Sequence, residues 1–146
     1  MATLTSGRGP RSERGSQLIE FALVLPLLLL VVLGIMDFGL LFQRYEAVTN
    51  AAREGARLAV IEGRTDGDVR ARVNKYVTDG GLTALIDANI QLNRTVALSG
   101  TATASSVTIT YPFEFMMLNP IVRMVTPTST TGAPITLTAV SLMRNE

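Results

Sequence analysis

Two acidic residues bordering or interrupting an apolar run are the first candidates for chemistry in this chain. From Phe21 to Phe42 the sequence carries a single charge, Asp37, and Glu20 immediately precedes that run. A carboxylate carried to mid-bilayer costs about 2.5–3.5 kcal/mol, so such residues usually mark a function and are usually paired. Glu20 lies at the helix edge, where it either snorkels to the headgroups or meets a cation. Asp37 lies five residues from the other end. There it either snorkels outward or serves as a contact in a helix bundle, paired with an arginine of a partner helix. Asp66 and Asp68 raise a calcium loop, but the regular acids and closing glutamate of such a loop are missing, so one of the two is read as a helix cap. Asn93-Arg94-Thr95 fits a glycosylation sequon that falls inside a strand pattern and carries no expected role.

Much chemistry is excluded outright. The 146 residues include no histidine and no cysteine, which removes thiol nucleophiles, imidazole bases, disulfides and zinc sites. Thirteen basic and twelve acidic residues leave a net charge of +1, and Lys75 is the single lysine. Such a balance provides no polycationic surface for nucleic acid. Asp66, Asp68 and Glu114 have no accompanying histidine, lysine cluster or glycine-rich loop, so no enzyme, catalytic residue, cofactor or metal is expected.

The elements that position Glu20 and Asp37 follow from hydropathy. Leu23 to Ile35 is almost entirely leucine and valine around Pro26 and Gly34, and 22 helical residues reach about 33 Å against a hydrocarbon core of about 30 Å. A secretory signal has a shorter apolar region and a small-residue cleavage site, whereas this run ends in Phe42-Gln43-Arg44-Tyr45. It therefore reads as a retained transmembrane helix. Arg8, Arg11 and Arg14 against Glu13 in the first fifteen residues place that end in the cytoplasm.

Arg14-Gly15-Ser16-Gln17-Leu18-Ile19-Glu20-Phe21 resembles the type IV prepilin signal: a basic leader ending in glycine, a glutamate five residues later, then an aromatic residue and the apolar run. The likeness narrows with Glu20 to Pro26, Gly34-Ile35-Met36-Asp37-Phe38-Gly39, Asn50-Ala51-Ala52-Arg53-Glu54-Gly55-Ala56-Arg57 and the final Met143-Arg144-Asn145-Glu146, which are similar to TadE-like minor pilins. The resemblance covers the first sixty residues and barely touches the middle. It implies a pseudopilin of the tight-adherence (Flp-type) apparatus, cut by a prepilin peptidase between Gly15 and Ser16. It also implies other pilins and the pilus assembly platform as partners, in a hetero-oligomer or a filament. Phe21 stands where major Flp subunits commonly carry tyrosine, which favours a minor pilin. The cut would expose an α-amino group at Ser16, which Glu20 of a neighbouring subunit can pair, fixing the stagger between helices.

Beyond the membrane, Tyr45, Val48, Ala52, Gly55 and Ala59 recur at helical spacing, extending one helix from Ser16 to about Ile61 with its small-residue stripe toward the chain's own sheet. Gly63 to Gly67 reads as a break, followed by a second helix with Val69, Val73 and Val77 that stops at Gly80-Gly81. The period then changes to two. Three strands are expected: Ile90 to Leu98, Ser106 to Phe115 and Ile135 to Thr138, with a turn at Ser99-Gly100 and an edge or bulge at Pro112. Met116 to Val125 is a short helix or a loop, and Thr126 to Pro134 a connector. The class is thus α+β: a long N-terminal helix, a second helix and a small antiparallel sheet. Residues 1–15 form a cytoplasmic leader, 16–43 a single span of the bacterial inner membrane, and 44–146 a periplasmic domain. The alternative is a membrane-anchored periplasmic binding or adhesin module outside any pilus.

Overall fold

The computed structural model describes residues 10–98, 101–125 and 134–145, with side chains from Gly15 onward except that of Val125. The arginine-bearing leader side chains, the Ser99-Gly100 turn, residues 126–133 of the connector and Glu146 lie outside the described residues.

Helix α1 runs from Pro10 to Ala59, 50 residues and about 75 Å at helical rise. It begins six residues before Ser16, because Pro10 suits the first helical position, where its missing N–H costs nothing. It is continuous through Pro26. Helix α2 spans Asp66–Asp79. Its cap is Thr65 rather than either aspartate: Asp68 N–H donates to Thr65 Oγ1 at 3.2 Å, and Thr65 N–H donates to the Asp68 carboxylate at 2.9 Å. The two residues form a reciprocal capping box, and Asp68 fills the third helical position. The bonds from Thr65 hold the Asp68 carboxyl below its ordinary range. Gly63 and Gly81 take left-handed backbone, φ 76° and 77°, at the turns that follow the two helices.

Strands β1 (Ile90–Ala97), β2 (Thr103–Phe113) and β3 (Ile135–Arg144) form an antiparallel sheet in the order β1-β2-β3, and helix α3 (Leu118–Val125) precedes β3. Pro112 lies in the central strand, but β1 pairing ends at the Ile90–Ile109 pair, so Pro112 faces β3 alone and no ladder bond to β1 is lost. The irregularity in the sheet falls instead in β1, between Asn93 and Val96. There Thr95 N–H donates to Asn93 Oδ1 at 3.0 Å.

The core forms where the upper half of α1 meets the sheet and α2. Val48, Ala51, Ala52 and Ala56 are buried with Val69, Val73 and Val77 of α2 and with Ile90, Val107, Ile109 and Phe113 of the sheet. Gly55 is the point of closest approach: a Cβ there would lie 2.6 Å from Val73 Cγ2 and 3.3 Å from Val107 Cγ1. The small-residue stripe therefore packs within the chain, as its spacing implied. Glu54 Oε1 accepts from Arg57 Nη2 at 2.7 Å within α1 and, across the α1–α2 contact, from Arg72 Nη2 at 2.9 Å. These bonds, Arg57's first, hold the Glu54 carboxyl at about 2, against the opposing effect of burial.

Two predictions follow from this packing. Gly55→Leu should lower stability by about 3 kcal/mol or more, at the upper end of ordinary overpacking, because both neighbouring valines are fully buried; thermal unfolding checks it. Glu54 has a depressed carboxyl, so its contribution is present above the ordinary value of 4.5 and is lost as pH falls toward 2. Glu54→Gln should therefore cost about 1–3 kcal/mol at neutral pH, with the difference from wild type closing over that acid range in denaturant titrations.

Candidate functional site

The first half of α1 has no cover from the folded domain. Its most apolar 18-residue window has mean hydropathy 2.8 and is 0% buried, and it is the one helix among the described residues long and apolar enough to cross a membrane. Gly15, Ser16, Glu20 and Phe21 all lie on exposed turns of this half. Gly15 has open space around it. Ser16 and Glu20 are one helical turn apart and so share a face, while Phe21 points to an adjacent one.

Asp37 is placed differently from both expectations. It is 0% exposed, and its carboxylate is held inside the chain rather than waiting for an arginine of another subunit or reaching for headgroups. Met117 N–H donates to its two oxygens at 3.2 and 3.0 Å, and Leu118 N–H donates to Oδ2 at 2.8 Å. These N–H groups stand at the start of α3, where a helix has no internal acceptors for them and the backbone dipole favours an anion. Asp37 thus caps a helix that lies eighty residues further along the chain. Aromatic packing closes round this contact. The Phe38 and Phe115 rings meet edge to face at 6.3 Å, Phe113 and Phe115 at 5.1 Å, and the Arg44 guanidinium lies 5.2 Å from the Phe113 ring centre.

The same contacts give the direction of β2. Gly55 faces Val107, Arg44 lies over Phe113, Phe38 meets Phe115, and Asp37 holds Met117. The strand therefore descends along α1 toward the bare half. Beside its lower end is an open cleft of about 700 Å³, lined by residues that include Arg44, Tyr111, Glu114 and Asn119.

A second polar knot ties the far end. Arg94 donates to the Ala59 carbonyl at 2.6 Å, to the Arg64 carbonyl at 3.0 Å and to Asp66 at 2.8 Å, so one guanidinium holds the end of α1, the turn after it and the first turn of α2. Asn145 Nδ2 in turn donates to the Arg94 carbonyl at 2.9 Å, and buried Ser105 donates to Asn145 Oδ1 at 2.8 Å. Sequence reasoning passed over Arg94. The signal was its register: with Ile90, Leu92 and Val96 it occupies the core-facing positions of β1, where a charge needs partners.

A long helix bare in one half and packed under a small α+β domain in the other defines a protein that fits a single-pass membrane anchor. Residues 15–57, which are α1 from Gly15 nearly to its end, match the family described as TadE-like protein. The TadE-like segment thus lies wholly within α1. Among curated proteins and among solved structures nothing matches.

Asp37→Ala should leave the Met117 and Leu118 amides without their acceptor and detach the start of α3 at a cost of about 1–2 kcal/mol. Amide hydrogen exchange should then accelerate at Met117 and Leu118 while the amides of Val107 and Ile109 keep their protection.

Proposed function

We propose that the chain is a minor pilin or pseudopilin that takes part in assembly of a Tad/Flp-type adhesive pilus, after a prepilin peptidase cuts it between Gly15 and Ser16. One observation carries this reading. The TadE-like match starts at Gly15, the glycine of the cut, and continues into a helix half whose apolar side chains are uncovered.

The Gly15–Ser16 bond lies inside α1 in the uncut chain, so cleavage requires the first turns to unwind. Glycine has low helix propensity and no side chain to withdraw, and a Cβ at Gly15 would meet nothing within 4 Å among the described residues. Removing the leader leaves the membrane helix in place and creates a cation at Ser16. That amine and a Glu20 carboxylate lower each other's cost in an apolar setting, and between neighbouring subunits the pair sets the axial offset of packed helices. The leader arginines support a cytoplasmic N-terminus, with the span in the inner membrane and the C-terminal domain in the periplasm. The role is structural rather than catalytic, in keeping with a sequence that lacks both histidine and cysteine. The prepilin peptidase, other pilins and the assembly platform are the partners.

In cells containing the peptidase, the mature protein should begin at Ser16; in cells without it, it should keep Met1. Gly15→Ala should abolish the mass difference, and Glu20→Ala should be cut normally yet fail to enter pili. An intact Met1 start in both strains would end the proposal.

A further inference from the structure

We propose that α3, together with Met116 just before it, is an interfacial element that rests on the lipid bilayer, so that the folded domain is seated on the membrane surface. The inference rests on the reading of the first half of α1 as a membrane span.

The depth follows from the chain. Leu18 to Met36 is nineteen residues, about 28 Å of helix, which matches a hydrocarbon core of about 30 Å. At the next residue the surface of α1 changes: Asp37 is buried under the N-terminus of α3. The folded domain therefore reaches down to Asp37, five residues short of Phe42 where the apolar run of the sequence ends, and within those five residues Leu40 and Leu41 pack against the core instead of facing lipid. A helix pinned there by three hydrogen bonds starts at the height of the bilayer surface.

The exposed side chains of α3 and of the turns of α1 next to Asp37 suit such a surface. Met124 on α3 is 88% exposed, and Met116 is exposed as well. On α1, exposed Phe38 and Phe42, the latter 66% exposed, stand one and five residues past Asp37, about 1.5 and 7.5 Å above it. That range matches the interfacial layer, about 5–7 Å deep on each side, where aromatic rings collect. Arg123 beside Met124 is exposed and can place its cation among lipid phosphates while its stem lies over acyl chains. Leu118, Ile121 and Val122, on the other face of α3, are half-buried. Among the described residues of α3, Pro120, Arg123 and Met124 are exposed, and a methionine beside an arginine suits the headgroup layer, where an apolar stem and a cation are both accommodated.

Because the chain has no cysteine, single spin labels report depth without background. The full chain would carry Leu28→Cys, Met124→Cys, Met116→Cys or Val140→Cys in nanodiscs of phosphatidylethanolamine and phosphatidylglycerol. Val140 is 63% exposed and lies on β3 opposite Thr108, level with Gly55 and about 27 Å above Asp37. Labels at Leu28 should collide mainly with oxygen and labels at Val140 mainly with a water-soluble nickel chelate. Those at Met124 and Met116 should fall between, with nickel collisions reduced several-fold from Val140. If Leu28 reads as deep while both methionine positions read like Val140, this inference fails and the span stands. If Leu28 itself is open to nickel, the span reading and this inference fall together.

Discussion

Two groups that would each be costly alone satisfy one another at Asp37. A carboxylate buried midway along α1 has no water to solvate it fully, and the first amides of α3 have no carbonyl within their own helix. Leaving either unsatisfied in a buried place costs about 1–3 kcal/mol. Their meeting, through Met117 and Leu118, fixes the height at which the domain grips α1. Packing sets the same height from above, at Gly55, where a Cβ from a one-turn shift would meet Val73 at 2.6 Å. A hydrogen-bonded anion has one place to be.

Arg94 performs the corresponding task at the other end. Its three bonds close the carbonyl end of α1, the following turn and the start of α2, and Asn145 fastens the end of β3 to the same strand. Asp37 and Ala59 are twenty-two residues apart, about 33 Å, so the sheet is pinned at both ends of the segment it covers. Between the pins the buried face of α1 carries Val48 and a run of small residues, and Gly55 marks the tightest place. Polar bonds choose the register, while Ala51, Ala52 and Ala56 let the layers approach closely enough for burial to stabilise it.

Local pattern made much of this legible. The apolar run, the change from helical to alternating period and the breaks at glycine all act within a few residues, and two helices and three strands lie where those patterns did, β2 running from Thr103 to Phe113 rather than from Ser106 to Phe115. Strand β3 is longer than its alternation implied, because Val140 and Leu142 put apolar groups on the outward face and blurred the period. The cap of α2 was one residue off, since a threonine followed three residues later by an aspartate competes with the aspartates themselves. The partner of Asp37 was illegible for a deeper reason. Backbone amides have no residue identity, so nothing in the letters at Met117 and Leu118 advertises that they will meet a carboxylate eighty positions earlier.

The course of β2 has a mechanical consequence. The strand runs down α1, tied near its foot at Asp37, while β3 climbs beside it through ten consecutive pairs from Phe113–Ile135 to Ala104–Arg144. A pull directed along α1, such as a subunit experiences when drawn lengthwise out of a bilayer, loads that ladder parallel to its strands. All ten rungs then share the tension at once instead of parting one after another, an arrangement that resists tearing in the direction in which a fibre is hauled.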